Sequence, residues 1–269
     1  MFRYLLLFVA VYLGFLALLF VKQRSLIFQP DNSLLNIESI DWLVTPEAWP
    51  SNENRHGFVI TPDNPQGTVI VFHGNAGQAL HRAYYANALA ALGYRVVLAE
   101  YPGYGGRTGT PSEEALVSSG RQLISQIAND FQQSPIHLLG ESMGSGVVSA
   151  IVADNWQPTP RTSVVSVILI TPFDSLAAVA QTHYWYTPAK WLVRDKFDSI
   201  KNLGSFNGMK QIILAERDSV VPIKHGEKLY SQLSTPKQRY LIEGANHNNW
   251  IGQVDSQWWQ KILSTANSK

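Results

Sequence analysis

Two patterns of hydrophobic positions divide the chain. The run Tyr4–Val21 carries no charge and is apolar on every side, whereas the rest alternates short β-rich segments with segments of helical spacing. About 18–20 helical residues, each rising 1.5 Å, span the hydrocarbon core of a bilayer. We therefore expect residues 1–24 to form a single-pass membrane anchor and residues 25–269 to form one folded domain.

Two other interpretations of the apolar run remain open. A cleaved signal peptide has a shorter apolar part and a small-residue cleavage pattern, which does not follow this run. A buried core helix would be amphipathic. The flanking charges, Arg3 on one side and Lys22 and Arg24 on the other, are nearly balanced. The terminal amine adds to Arg3, so the two sides are close to a tie; we expect a cytoplasmic N-terminus and a domain outside the cytoplasm.

The folded part is predicted to contain strands and helices in alternation. The strands are expected at Leu43–Thr45, Phe58–Thr61, Thr68–Phe72, Arg95–Ala99, Ile136–Leu139, Val164–Ile170, Gln211–Ala215 and Arg239–Ile242. The helices are expected at Gln78–Leu92, from an N-cap at Thr110 to Asp130, and at Met143–Ala153, Lys224–Leu233 and Ser256–Thr265. This order predicts an α/β fold with a mostly parallel, eight-stranded-type sheet and helices on both faces. Chemistry in such folds lies at the carboxyl ends of the strands.

One strand end carries a nucleophile motif. Gly140-Glu141-Ser142-Met143-Gly144 has the G-x-S-x-G form and lies between a strand and a helix, which is the context that the tight elbow of α/β hydrolases requires. The alternative is that this segment is an ordinary glycine-rich turn without a catalytic role, since glycine and serine are common residues. We expect Ser142 to be the catalytic nucleophile.

A serine hydroxyl needs a base, and in this fold the order along the chain is serine, acid, histidine. Three histidines follow Ser142, and His247 is the one in a loop directly after the last predicted strand. His183 and His225 are the alternatives, and we expect His225 to cap a helix or face solvent. His73 precedes the serine and is expected to pack beneath a loop.

The acid is expected after a strand between the serine and the histidine. Asp218 follows Gln211–Ala215 by three residues and is our choice, with the role of orienting the imidazole of His247. Asp174 follows the preceding strand and is the competing candidate. Its alternative role is that of a helix N-cap.

The oxyanion hole is expected to use two backbone amides. One belongs to the residue after the nucleophile, Met143, and the other to the loop His73–Gly77 after an earlier strand. We assign the second amide to Asn75, with Ala76 as the alternative.

Composition narrows the possible functions. Hydrophobic residues make up 45% of the chain and charged residues 15%, which excludes a disordered protein. The net charge is +1 with no basic stripe, so we expect no nucleic-acid partner. The chain has 0 cysteines, which rules out disulfides, cysteine-ligated zinc and a cysteine nucleophile. We expect no metal and no cofactor, and the sequence does not indicate an oligomeric state.

Taken together, several motifs resemble one family. These are GNAG after a strand, YPGYG, TPSE, GESMGSG, SVVPIKHGEKL and GANHNN, with QRSLIFQP after the apolar run. The chain resembles the Bem46-like α/β hydrolases, relatives of the mammalian ABHD-type serine hydrolases, along nearly its whole length. The resemblance implies the triad Ser142, Asp218 and His247, and the hydrolysis of carboxylic esters or acyl thioesters, often lipid-like. Asp174 departs from the small polar residue expected there.

An aromatic segment lies where this fold inserts a lid, about residues 175–210. Tyr184, Trp185 and Trp191 are candidates for lining a pocket for a small-molecule or lipid-like acyl substrate. They are equally suited to a membrane interface or to plain packing. A serine peptidase of the same fold and a membrane-tethered binding protein without turnover are the alternative functions.

Overall fold

The computed structural model describes residues 2–35, 37–132 and 134–266. The strands are β1 (Gln29–Pro30), β2 (Glu47–Trp49), β3 (Gly57–Ile60), β4 (Thr68–Phe72), β5 (Ala76–Gly77), β6 (Arg95–Ala99), β7 (Ile136–Glu141), β8 (Val164–Ile170), β9 (Met209–Ala215) and β10 (Lys237–Ile242). The α-helices are α1 (Phe2–Ile27), α2 (Ala83–Ala90), α3 (Glu113–Asp130), α4 (Met143–Ile151), α5 (Leu176–His183), α6 (Ala189–Leu192), α7 (Ser199–Leu203), α8 (Ile223–Gln232) and α9 (Ser256–Ala266).

Within the described ranges, eight strands form the main sheet in the order β10-β9-β8-β7-β4-β6-β3-β2. The six strands from β10 to β6 are parallel, and β3 is antiparallel to both β6 and β2. Parallel neighbours require crossover connections, and helices supply most of them. The predicted mostly parallel, eight-stranded sheet is confirmed.

Helices cover both faces of the sheet because its central strands are apolar on both sides. In β4, Ile70 and Phe72 point into one core and Val69 and Val71 into the other, as the two-residue period of a strand requires. The first core also contains side chains of α3, α4 and α8, and the second contains those of α2 and α9. The predicted helices on both faces are thus confirmed.

The helix α1 stands apart from this arrangement. It contains the uncharged run and continues to Ile27, three residues beyond the expected end of the anchor. It is long and apolar enough to cross a membrane, and the apolar stretch is exposed rather than buried in the domain. The exposure contradicts the interpretation of this run as a core helix.

Several predicted boundaries are wrong. Leu43–Thr45 is not a strand, and the edge strand begins instead at Glu47. The helix expected from Gln78 opens with a 3-10 turn, so that α2 begins only at Ala83. The N-cap of α3 is Ser112 rather than Thr110. The expected lid interval contains the short helices α5, α6 and α7.

Candidate active site

Ser142 occupies a strained turn between β7 and α4. Its φ of 53° and ψ of −118° lie where residues with a side chain are seldom found. The turn is held in place because the Ser142 amide donates to the carbonyl of Ile170 (2.9 Å) and its carbonyl accepts from the amide of Ser145 (2.9 Å). The turn places Ser142 at the carboxyl end of β7 and at the start of α4.

Two glycines make this turn sterically possible. A Cβ on Gly140 would collide with the carbonyl of Gly144, and a Cβ on Gly144 would collide with the carbonyl of Phe72. Both positions therefore exclude any side chain while helix α4 packs this closely on the sheet. The motif G-x-S-x-G is required here by packing.

The structure brings the three expected triad residues into one hydrogen-bonded line. Nε2 of His247 lies 2.9 Å from the Oγ of Ser142, and its Nδ1 lies 2.7 Å from Oδ2 of Asp218. A carboxylate accepts hydrogen bonds, which assigns the proton to Nδ1 and leaves Nε2 to accept from the hydroxyl. The other oxygen of Asp218 accepts from the amides of Val220 (2.9 Å) and Val221 (2.8 Å). This geometry suits general-base activation of a serine.

Asp174 does not compete for His247. Its Oδ1 lies 2.7 Å from Nδ1 of His225 and its Oδ2 accepts from Nζ of Lys228 (2.7 Å). Burial alone would raise the pKa of Asp174, but the hydrogen bonds from His225 and Lys228 outweigh it and lower that pKa. The N-cap of α5 is Ser175, so the alternative role of Asp174 as a cap is wrong. His225 is buried in this pair, contrary to the expectation that it caps a helix or faces solvent.

The loop after β4 lies directly against the nucleophile. A Cβ on Gly74 would sit 3.6 Å from the Cβ of Ser142. In the next residue, Asn75, the carbonyl accepts from the hydroxyl of Tyr104 (2.8 Å) and the side chain donates to the carbonyl of Ile27 (3.1 Å). Asn75 and Met143, the two expected sources of oxyanion amides, therefore both border the space in front of Ser142.

His73 lies under this loop, as expected. It is buried, with Nδ1 2.8 Å from the carbonyl of Gly74 and Nε2 3.1 Å from the carboxylate of Glu100. The ring thereby connects the loop to the end of β6.

Glu141 occupies the x position before the nucleophile in the motif G-x-S-x-G, and it has a role that the sequence did not reveal. Its carboxylate accepts from Arg82 (3.0 Å), Tyr84 (2.7 Å) and Tyr85 (2.9 Å). Burial, together with the charge of Glu141, raises the pKa of both tyrosines well above the usual range, so both remain hydrogen-bond donors. These donors come from the start of α2 and the turn before it, and they fix the residue adjacent to Ser142. No local pattern identifies them, because they lie more than 50 residues away in the sequence.

A cavity of about 570 Å³ contains Ser142. Its walls are mainly apolar and come from the lid, from the strand-end loops and from α1. Tyr184 lines it, as expected. His183 also lines it, with Nε2 2.8 Å from the carbonyl of Val220, whereas the hydroxyl of Ser142 is bonded to His247.

Trp185 and Trp191 lie elsewhere. They border a second hollow, on the outer side of the lid next to Tyr12, and are 77% and 72% exposed. The expectation that they line the pocket of the nucleophile is wrong, because Trp185 in the turn after α5 and Trp191 in α6 both border the outer hollow.

The fold and the placement of Ser142, Asp218 and His247 at the ends of parallel strands define an α/β hydrolase. The chain belongs to the family described as serine aminopeptidase, S33, whose model matches residues 63–205, more than half of the chain. The resemblance to ABHD-type α/β hydrolases is thereby confirmed.

Related proteins agree with this assignment. An uncharacterized protein of Mycobacterium tuberculosis is 33% identical over 183 residues, which cover 67% of this chain and 63% of that protein. The lysophosphatidylserine lipase ABHD12 of Mus musculus is 28% identical over 217 residues, which cover 74% of this chain and 54% of the lipase. The chain thus spans between about half and 63% of the length of these relatives.

Solved structures show the same fold. An esterase of Pyrococcus furiosus superposes with a TM-score of 0.63 at 15% identity, covering 89% of this chain and 97% of the esterase. An α/β hydrolase of Vibrio vulnificus superposes with a TM-score of 0.62 at 21% identity, covering 78% and 80%. The predicted α/β-hydrolase fold is confirmed.

Proposed function

We propose that the protein is a serine hydrolase that cleaves carboxylic ester or acyl thioester bonds of lipid-like substrates. The observation that carries the proposal is the hydrogen-bonded line from Ser142 through His247 to Asp218, with bonds of 2.9 Å and 2.7 Å. A nucleophile, a base and an orienting acid in this geometry constitute the machinery of acyl transfer.

The reaction follows from the positions of these groups. The Oγ of Ser142 attacks the carbonyl carbon while Nε2 of His247 takes its proton, and the backbone amides of Asn75 and Met143 stabilise the oxyanion. Collapse of the tetrahedral intermediate expels the alcohol or thiol, which receives the proton from His247. Water, activated by the same imidazole, then hydrolyses the acyl-enzyme. Asp218 holds the imidazole and stabilises its charged form without taking the proton.

The cavity supports an acyl substrate. Its walls include Phe173, Leu176, Val179 and Tyr184, and its volume of about 570 Å³ falls within the range of small-molecule sites. The relative named a lysophosphatidylserine lipase also acts on a lipid, but because the chain spans only 54% of that protein, its substrate is not carried over.

We further propose that α1 anchors the protein as a single-pass helix with the domain outside the cytoplasm. Trp185, Tyr186 and Trp191 are exposed on the lid beside this helix, and Nζ of Lys190 lies 4.5 Å from the ring centre of Trp191. Aromatic rings and lysines gather in this way where a protein meets the membrane interface. The charges around α1 number two on each side, Arg3 and the terminal amine against Lys22 and Arg24, so the outward orientation has to be measured.

Neither alternative function has comparable support. An aminopeptidase would need an acidic group to bind the ammonium of its substrate, and no acidic residue is among the described residues that line the cavity. A binding protein without turnover would have no need of a complete triad held at hydrogen-bonding distances.

The test is labelling of the full-length protein in detergent micelles by a small ethyl fluorophosphonate, which reacts with activated serines. We expect wild type to be labelled and Ser142→Ala to remain unlabelled. The matched control is Ser149→Ala in α4, the helix that begins just after Ser142. The hydroxyl of Ser149 is buried and donates to the carbonyl of Ser145 inside that helix (2.7 Å), so its removal should leave labelling unchanged. Folded wild-type protein that resists the probe would refute the proposal.

A further inference from the structure

The helix α1 contacts the domain along one face only. Its less exposed positions are Tyr12, Leu16, Leu19, Gln23, Arg24 and Ile27, and all of them except Arg24 are spaced four, three, four and four residues apart. Such spacing forms one stripe along a helix. The stripe extends over about 22 Å at 1.5 Å per residue. A helix that served only as a tether would not need a face matched to the lid.

Polar contacts fix the rotation of α1 against the lid. Gln23 is buried; its amide nitrogen donates to the carbonyl of Leu192 (3.2 Å), and its amide oxygen accepts from the backbone of Arg194 (2.7 Å). Arg24 donates to both oxygens of the buried Asp195 (2.8 and 3.1 Å). A glutamine and an arginine bonded in this way allow only one face of the helix to meet the domain.

The same helix ends at the loop His73–Gly77, which follows β4 and borders Ser142. The carbonyl of Ile27 accepts from the side chain of Asn75 (3.1 Å). Just beyond, β1 pairs in parallel with β5, with Gln29 opposite Ala76. The end of α1 and the loop that borders the nucleophile are therefore one connected unit.

Around these two attachments, the end of α1 forms one side of the cavity that contains Ser142. Leu19, Phe20, Gln23, Leu26 and Ile27 all line it, opposite lid residues such as Leu192 and Val193. Without them the apolar space would be open on that side.

We infer that the last two turns of the membrane helix form a wall of the acyl-binding site and set the acyl length that it accepts. The inference rests on the proposed hydrolysis at Ser142 and adds the position of the acyl chain, which lies along α1 with its carbonyl at the serine. Leu19 is then a specificity-determining residue, although it lies in the predicted anchor.

The first test compares two neighbouring leucines. Leu19 lines the cavity, whereas Leu18 is 58% exposed and does not. We expect Leu19→Trp, in full-length protein in micelles, to lower kcat/KM for p-nitrophenyl palmitate about tenfold relative to the acetate, since filling a pocket discriminates by chain size. Leu18→Trp should leave this ratio unchanged, and Leu19→Ala should raise it. Fluorophosphonate labelling of each variant shows that the fold is kept.

Equal palmitate-to-acetate ratios in wild type, Leu19→Trp and Leu18→Trp would overturn the inference. A second measurement does not depend on turnover: a palmitate with a terminal diazirine is photolysed with the wild-type protein, and the adducts are located by mass spectrometry. We expect adducts within residues 19–27. Adducts confined to the lid would count against the wall. If the fluorophosphonate fails to label Ser142 while residues 19–27 are modified, the proposed hydrolase function is refuted, but the inference that α1 lines the acyl-binding site is supported.

Discussion

At the residue scale, the nucleophile depends on its immediate neighbours. Ser142 is held at a positive φ, a conformation that costs on the order of 1–3 kcal/mol. The surrounding structure compensates for this cost through the two glycines, the hydrogen bond that the Ser142 amide donates to the carbonyl of Ile170, and the three donors that hold Glu141. The reactive geometry is thus built into the turn itself.

The two carboxylates after β8 and β9 should behave differently when neutralised. We expect Asp218→Asn to lower kcat about 10⁴-fold, because the amide favours the wrong tautomer of His247. Asp174→Asn should leave kcat nearly unchanged and instead lower the free energy of unfolding by about 1–3 kcal/mol, because His225 and Lys228 lose a buried partner. Turnover of a short p-nitrophenyl ester and denaturant unfolding measure the two effects.

The opposite pattern, a large loss of turnover in Asp174→Asn with little loss in Asp218→Asn, would transfer the role of the acid to Asp174. Since Asp174 points at His225 rather than His247, this result would also require a rearrangement of the site.

The positions of single site residues could be predicted where a motif or the order of residues along the chain identifies them. Ser142 and His247 follow from a motif and from position after a strand, and Asp218 from the order of the two. The partner of Asp174 could not be predicted, because His225 lies 51 positions away and only folding brings it near. The same is true of Arg82 and Tyr84 at Glu141.

At the scale of elements, the start of α3 shows how tertiary contacts override a local motif. Thr110 and Glu113 have the spacing of a capping box, but the carboxylate of Glu113 accepts from the amide of Phe197 (3.0 Å). Ser112 adopts an extended backbone and its hydroxyl accepts from the amide of Ala115 (3.1 Å). The helix therefore begins two residues later than the motif predicts.

This assignment of the cap can be tested directly. We expect Ser112→Ala to lower the free energy of unfolding by about 1 kcal/mol, since an N-terminal amide of α3 loses its acceptor. Thr110→Ala, the control two residues earlier, should change it by less than about 0.5 kcal/mol. Equal losses in the two variants, measured by denaturant unfolding in micelles, would argue against Ser112 as the cap.

Strands were predictable in the buried interior and at the edge formed by β10, but not at the opposite edge, formed by β2. The continuous apolar run TVIVF is typical of a strand buried on both faces, and β4 matches it residue for residue. The edge strand β2 pairs on one side only and carries no such run, so the apolar stretch Leu43–Thr45 was mistaken for it. Packing against neighbours, rather than local composition, selects the edge.

At the scale of the whole molecule, a buried histidine couples stability to pH. Burial lowers the pKa of His137 to about 4, while Nδ1 lies 2.8 Å from the hydroxyl of Ser166. In the unfolded chain the pKa is about 6.5, so between these values the unfolded state binds more protons and stability falls as the pH falls. His56, whose pKa burial also lowers, acts in the same sense.

We expect His137 to contribute about 3 kcal/mol to the loss of stability between pH 6.5 and pH 4. His137→Gln should flatten the profile in that window by this amount, whatever its effect at pH 7.5. Denaturant unfolding across the pH range measures the slope. An unchanged slope in the variant would show that His137 becomes protonated without unfolding.

The orientation of the protein can be measured because the chain has 0 cysteines, so one introduced thiol gives no background. With the domain outside the cytoplasm, Asn52→Cys, at an exposed position, should react with a membrane-impermeant maleimide on intact cells. Reaction only after the cells are lysed would place the domain inside. Thiol labelling of denatured protein provides the control for expression.

The assembly of α1 with the lid could not be predicted from the sequence. The uncharged run Tyr4–Val21 identifies a helix and its length but not the face that meets the domain. That face depends on Gln23 and Arg24, whose partners Leu192, Arg194 and Asp195 lie about 170 positions away.

The attachment of Gln23 and Arg24 to the lid has a kinetic consequence. If α1 lies in the bilayer, as proposed, this attachment holds the domain at one distance from the leaflet and the cavity meets substrates at a constant depth. The rate then depends on the mole fraction of substrate in the surface rather than on its bulk concentration. Diluting the substrate with inert lipid at constant total substrate would slow the enzyme, as it does for catalysts confined to two dimensions.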